Sequence, residues 1–304
     1  MKRREFLQRA GLGIGAACLG GSARSSLAWT RTWGRLSLPP VTGRFAASDT
    51  VTLGHTGIRT SRLAMGTGTI GYNHHSNQTA LGMDGLPRLL LNGYDHGLRF
   101  FDAADSYGSH PYVARALQQV PRDKVTVLTK TWARDPQTAR ADLDRFRKEL
   151  GTDYLDLCLM HCLTEADWTE RYRGVMDVLS EAKQKGIIRA HGCSCHTIEA
   201  LHAAAKSPWV EIDLARINPI GSHMDADPTT VVSVLREMRA GGKAVVGMKI
   251  LGQGDMRTRQ DEALRYALSL GVLDAFTIGA ESIAEQQDLI RRIPLAAQEG
   301  PAQR

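Results

Sequence analysis

The chain has 304 residues, 42% hydrophobic and 23% charged, with a net charge of +6. The basic excess sits at one end. Residues 1–28 carry five Lys or Arg against one Glu, residues 29–48 add Arg31, Arg35 and Arg44 with no acid, and residues 49–304 are left at −1. There is enough apolar material for one large core, and the near-neutral remainder excludes nucleic-acid binding as a reading of the overall charge.

Lys2-Arg3-Arg4-Glu5-Phe6-Leu7-Gln8 precedes a weakly apolar run, Ala10–Gly21, and a small-x-small site at Ser26-Leu27-Ala28. This pattern predicts a twin-arginine export signal over 1–28, recognised by the twin-arginine machinery, which carries folded proteins to the periplasm or cell envelope. The run is shorter than the about 20 apolar residues of a membrane span, and no later stretch reaches that length. Residues 29–48, with Pro39-Pro40 and no hydrophobic period, read as a linker. One domain is expected over 49–296, and a polar tail over 297–304.

After Leu53–Ile58, read as a small hairpin, strands and helices alternate. The strand candidates are Arg62–Met65, Arg99–Ala103, Val125–Thr129, Tyr154–Met160, Ile188–Gly192, Val210–Ile217, Ala244–Met248 and Ala275–Ile278. Between them, Leu143/Phe146/Leu150, Val175/Val178/Leu179/Ala182 and Val231/Leu235/Met238 each fall on one helical face. Asp135-Pro136 and Asp227-Pro228 read as N-caps followed by Pro at the first helical position, and Gly151, Gly186 and Gly241 follow helix ends. Eight such pairs predict an α/β fold, a closed parallel (β/α)8 TIM barrel. A doubly wound open sheet is the competitor. Its phosphate turn would be Gly66-x-Gly68-x-x-Gly71, but no amphipathic helix follows directly, so these glycines read as turns at the barrel mouth.

Asp102 closes the second candidate strand, Lys130 the third and His161 the fourth, and Tyr107 lies in the turn after Asp102. Singly, each has an ordinary structural role, and Asp105 is expected to cap the turn. Together at the mouth they form a proton-handling set: Asp102 holds Lys130, Lys130 lowers the pKa of the Tyr107 phenol, and Tyr107 gives a proton to a carbonyl oxygen or takes one from an alcohol. His161 orients the carbonyl or shares the proton relay.

Asp102-Ala103-Ala104-Asp105-Ser106-Tyr107-Gly108 resembles the D-x-A-x-x-Y-G signature of aldo-keto reductases, and Lys130 and His161 fall where that family keeps its other two catalytic residues. The resemblance covers nearly all of 49–304. It implies an oxidoreductase that interconverts an aldehyde or ketone and an alcohol by hydride transfer with NADP or NAD. It also implies cofactor contacts. Ser194 matches a residue that holds the nicotinamide carboxamide, although Cys195 replaces the Asn beside it. Asn218 matches the end of strand six, where Leu214 and Ile217 depart. Met248-Lys249 resembles one branch of the family, with Lys249 and the backbone through Leu251 and Gly252 meeting the pyrophosphate. Gly279, Ser282 and Glu285 fall in the turn that binds the adenosine ribose. Glu281 there would repel a 2′-phosphate and suits a ribose hydroxyl, hence NAD. Ser282-x-x-Glu285 is also a capping box. The family's later Asn is Leu289 here, and Arg291 and Arg292 lie further along. The sequence stops soon after its eighth helix, so an open substrate pocket is expected.

Of five cysteines, Cys158, Cys162, Cys193 and Cys195 follow the export signal, and Cys162–Cys195 is the candidate disulfide. Cys193-x-Cys195 with His161, His191 and His196 also offers soft ligands, but in no standard zinc spacing, and no metal is assigned. Two other readings are carried: an exported, non-catalytic binding protein on the same barrel that has lost its cofactor contacts, and a metal-dependent lyase or hydrolase.

Overall fold

The computed structural model describes residues 41 and 43–298. The export-signal pattern of 1–28, residues 29–40 of the expected linker and the tail beyond 298 lie outside these. Strands β1 (Thr50–Thr52) and β2 (Arg59–Ser61) pair antiparallel around the expected hairpin. Its buried Leu53 and Ile58 join the apolar cluster inside the barrel and close its lower end.

Eight parallel strands follow: β3 (Leu63–Gly66), β4 (Phe100–Asp102), β5 (Thr126–Thr131), β6 (Leu155–Leu163), β7 (Ile188–Cys195), β8 (Ile212–Arg216), β9 (Ala244–Met248) and β10 (Ala275–Ile278). Each pairs with the next and β10 pairs with β3, so the sheet is a closed barrel and the open-sheet alternative is excluded. Strand alternation divides the core. Phe100, Leu128, Leu157, Leu159, Ile212, Leu214 and Val246 fill the interior. Phe101, Val127, Cys158, Met160, Cys193 and Val245 face outward against helix residues such as Phe146, Leu179, Leu201 and Leu235.

The helices start where local chemistry dictates. Asp135 Oδ1 accepts from Thr138 N at 2.9 Å, and Asp227 Oδ1 accepts from Thr229 N and Thr230 N at 3.0 and 3.1 Å; Pro136 and Pro228 open the helices Pro136–Leu150 and Pro228–Ala240.

Some expected boundaries move. The linker does not run to residue 48: Ala47 is buried and its carbonyl accepts from Leu63 N at 2.9 Å, while the Arg62 guanidinium stacks on the Phe45 ring at 4.5 Å. The final helix, Ile283–Gln298, takes in residues 297 and 298 of the expected tail, with Ala297 buried. β6 extends three residues past its expected end, because its register with β7 shifts between Met160 and Leu163 and Cys162 takes a positive φ of 57°.

Candidate active site

β4, β5 and β6 deliver Asp102, Lys130 and His161 to the same end of the barrel. Asp102 and Lys130 are 5% and 0% exposed. Lys130 Nζ donates to Asp102 Oδ1 at 2.5 Å and to the Ala103 carbonyl at 2.8 Å. The other carboxylate oxygen, Oδ2, accepts from the Thr277 hydroxyl on β10 at 2.9 Å. The Asp102 carbonyl receives both the N–H and the hydroxyl of Thr67. Asp102 is thereby fixed from three neighbouring strand ends.

Tyr107 ends a short 3-10 turn, Asp105–Tyr107, directly after β4. Lys130 Nζ lies 4.8 Å from the centroid of its ring. The Gly68–Gly71 turn covers the ring closely: a Cβ on Gly68 would fall 2.2 Å from Tyr107 Cε2, and one on Gly71 would fall 2.3 Å from Cδ1. These glycines are therefore mouth turns, and their missing side chains make room for the phenol. His161 meets the Tyr107 ring edge-on at 5.6 Å between centroids and packs against Trp132 at 5.2 Å. The Ser106 hydroxyl lies 3.4 Å from His161 Nδ1. The four expected residues therefore come together.

The electrostatics differ from expectation in one respect. Burial raises the Tyr107 pKa, and this outweighs the downward pull of Lys130, so the phenol titrates above its ordinary value. Burial lowers the Lys130 pKa, but Asp102 and Tyr107 reverse that, and the ammonium is held above its usual value. Burial, then the Lys130, His196 and Arg134 charges, push His161 well below the usual histidine value, so the ring is neutral. Asp105 does not cap its turn as expected; its carboxylate accepts from Arg145 Nη1 at 2.6 Å.

The expected cofactor residues lie around the same rim. Ser194 on β7 is buried, and its Oγ accepts from Cys162 N at 3.0 Å. Asn218 is fully buried and braces the loop after β8. Its Nδ2 donates to the Ser222 and Lys249 carbonyls at 2.7 and 3.2 Å, and its Oδ1 accepts from Ser222 N at 3.0 Å. Lys249 has a φ of +56° and donates to Gln253 Oε1 at 2.6 Å. Burial and the Arg216 charge lower its pKa. Leu251 is half-buried and Gly252 buried in the turn that follows. Gly279 lies against Gln78, whose amide bridges Thr69 and the Ala280 carbonyl. Ser282 caps the helix as expected, its Oγ accepting from Glu285 N at 3.2 Å, but the return bond of the capping box is displaced by one residue: Glu285 Oε2 accepts from Glu281 N at 2.8 Å. Glu281 Oε1 accepts from Asn77 Nδ2 at 2.6 Å. Leu289 is buried against Leu89 and Ala280, and Arg291 and Arg292 both pair with Asp288. The set suits a dinucleotide. Lys249 lies at the end of β9 beside Arg216, whose guanidinium is paired with Asp225, and the N-terminus of a 16-residue helix follows β10.

The sequence pattern of the aldo/keto reductase family matches residues 62–292, which contain all of these groups. The chain belongs to the aldo/keto reductase family. These are NAD- or NADP-dependent oxidoreductases. An aldo-keto reductase of Mycolicibacterium smegmatis is 27% identical over 230 residues, 66% of this chain and 75% of that protein. The NADH-specific methylglyoxal reductase of Escherichia coli is 27% identical over 187 residues, 54% of this chain and 56% of that one. Among solved structures, the holo form of an aldo-keto reductase of Bacillus halodurans superposes with a TM-score of 0.68 at 18% identity, covering 84% of this chain and 93% of that one. This last likeness bears on the fold alone.

The candidate disulfide is not formed. Cys162 and Cys195 are free thiols. Cys162 Sγ faces His196 Nδ1 at 3.0 Å, whereas Cys195 lies on the outward face of β7 with its Sγ 3.9 Å from that of Cys193. The expected histidine ligands do not gather either. His191 stacks on Trp209 at 4.4 Å, and no potential metal cluster among the described residues contains His161, His191 or His196. Sequence reasoning passed over Thr277, Ser106 and Trp132. Thr277 carries a readable signal, as the one polar residue in the apolar strand Ala275–Ile278. Ser106 and Trp132 carry none apart from their nearness to the motif.

Proposed function

We propose that this barrel reduces an aldehyde or ketone to the alcohol, with Tyr107 as the proton donor and NADH as the favoured cofactor. The buried Asp102–Lys130 pair beneath the Tyr107 ring carries the reading. A buried ion pair is costly to build, and one that ends against a phenol has a use when that phenol must surrender a proton. The bound nicotinamide supplies the hydride. Tyr107 Oη gives its proton to the carbonyl oxygen as negative charge grows there, and the Lys130 ammonium, fixed by Asp102, stabilises the phenolate left behind. With Ser106 donating to Nδ1, the neutral His161 ring carries its hydrogen on Nε2, suited to orienting the carbonyl oxygen. Trp132, 42% exposed beside His161, offers the substrate an aromatic wall. Ser194, Lys249, Leu251, Gly252, Gly279 and Ser282 line the path assigned to the dinucleotide. Glu281 near the adenosine end, and a relative named as NADH-specific, support NADH over NADPH. No observation favours the non-catalytic alternative.

The test is Tyr107→Phe. NADH binding, followed by fluorescence, stays unchanged while turnover of small aldehydes falls by roughly 10²–10⁴. Near-normal turnover would reject Tyr107 as the donor. We also propose delivery to the cell envelope by the twin-arginine route. Replacing Arg3 and Arg4 by Lys should leave the protein in the cytoplasmic fraction, and unchanged fractionation would refute that.

A further inference from the structure

On the face of β7 away from Ser194, three potential ligands meet. Cys193 and Cys195 point the same way, two residues apart, and Asp213 on the paired strand β8 points to them. Their ligand atoms all lie within 4.8 Å of one another, and the residues are 0%, 1% and 0% exposed. We propose that Cys193, Cys195 and Asp213 form a buried site for a thiophilic divalent cation of the zinc type, set between the barrel and its helices and separate from the catalytic mouth.

The spacing matches a coordination shell. With metal–sulfur bonds of about 2.3 Å and metal–oxygen bonds of about 2.1 Å, tetrahedral geometry puts two thiolate sulfurs about 3.8 Å apart and a sulfur and an oxygen about 3.6 Å apart. The Cys193 and Cys195 sulfurs are 3.9 Å apart, and Cys193 Sγ is 3.4 Å from Asp213 Oδ1. Both are close to the edge lengths of such a tetrahedron, and the remaining pair, Cys195 and Asp213, lies within 4.8 Å.

Asp213 supplies the independent observation. Its Oδ2 is buried without a hydrogen-bond partner among the described residues. Two other buried aspartates, Asp156 on β6 and Asp274 just before β10, are built differently. Asp156 pairs with Arg122 and Arg189, and Asp274 pairs with Arg239. Asp213 has no arginine. Lys243 acts on it across space, but gives its hydrogens to the Ser207 and Val210 carbonyls. An unpaired carboxylate in a dry layer is costly, and a cation held by Oδ1 and the two sulfurs would supply the charge partner that Asp213 lacks.

Protons hold the cluster together otherwise. Burial and the nearby Asp225 carboxylate push Asp213 up to about 7, and burial pushes Cys193 up to about 11. Metal entry releases both thiol protons, and the Asp213 proton where present, with no change of oxidation state. The bound ion would staple β7 to β8 behind Ser194.

Fully reduced, chelator-stripped protein, its free thiols verified by mass spectrometry, is titrated with Co²⁺. The site predicts one equivalent bound, with thiolate-to-cobalt charge-transfer absorption and intense tetrahedral visible bands, bleached by Zn²⁺. Cys193→Ser and Asp213→Asn lose these bands, whereas Cys162→Ser keeps them. Zn²⁺ raises the melting temperature of the wild type and not of Asp213→Asn. If a variant fails to fold, the wild-type spectrum still decides, because the charge-transfer intensity counts thiolates. Absent thiolate bands in the reduced wild type, bands that survive Cys193→Ser, or a Cys193–Cys195 disulfide in the protein as isolated would each overturn the proposal.

Discussion

Lys130 Nζ and Asp102 Oδ1 lie 2.5 Å apart at the ends of two adjacent strands, with neither residue more than 5% exposed. Water can replace neither partner. Lys130→Met strands a carboxylate with only the Thr277 hydroxyl for company and should cost about 3–5 kcal/mol. Adding Asp102→Asn removes the orphaned charge, so the double variant should recover much of that loss in denaturant unfolding. Turnover should stay low in both, because the ammonium beneath Tyr107 is gone. Recovery of turnover with stability would make the pair a structural feature alone.

The raised Tyr107 pKa fixes the sign of the pH dependence. A donor must be protonated, so the rate of carbonyl reduction should hold across neutral pH and fall only once pH passes the ordinary phenol value of about 10. Alcohol oxidation needs the phenolate, and its rate should rise with pH over the same range. Profiles of kcat/KM in both directions check this. A reductive rate that falls near pH 7 would assign the proton to another group.

The barrel was legible in the sequence because period and punctuation agreed: Ala244–Met248 and Ala275–Ile278 are strands with the expected ends. The candidate set was legible because Asp102, Lys130 and His161 each close an apolar run, Tyr107 follows Asp102 in the next turn, and a strand end in such a barrel is the mouth. Relationships across strands were not. Thr277 reaches Asp102 across 175 residues, and Asp213 meets Cys193 only through the β7–β8 register. The Cys162–Cys195 pairing failed for the same reason: strand alternation turns Cys195 outward while Cys162 stays at the mouth. The Tyr107 pKa was misjudged because spacing shows that a lysine is near but not how completely the phenol is desolvated.

Gly68 tests how finely Tyr107 is placed. In Gly68→Ala the new methyl would lie within 2.5 Å of three Tyr107 ring atoms, so either the turn or the ring must move. A shift of the phenol by about 1 Å is enough to lower kcat roughly 10²-fold. NADH affinity should hold, since the contact is with the ring. The overpacking should cost about 1–3 kcal/mol in stability. An unchanged kcat would mean that the turn yields and the phenol does not.

Glu281 tests the cofactor assignment. It follows β10 at the start of the last helix, where Asn77 holds its carboxylate. A 2′-phosphate arriving there meets like charge, whereas a ribose hydroxyl can donate to it. Glu281→Arg reverses that charge at an exposed position and should shift the ratio of NADPH to NADH affinity toward NADPH by roughly 3- to 10-fold, as expected for a solvent-screened ion pair. Glu281→Gln should move it less and in the same direction. Both are read by titrating each nucleotide at two salt concentrations, with the shift shrinking at high salt. A ratio that does not respond to either substitution would place the ribose elsewhere and return Glu281 to its capping partners alone.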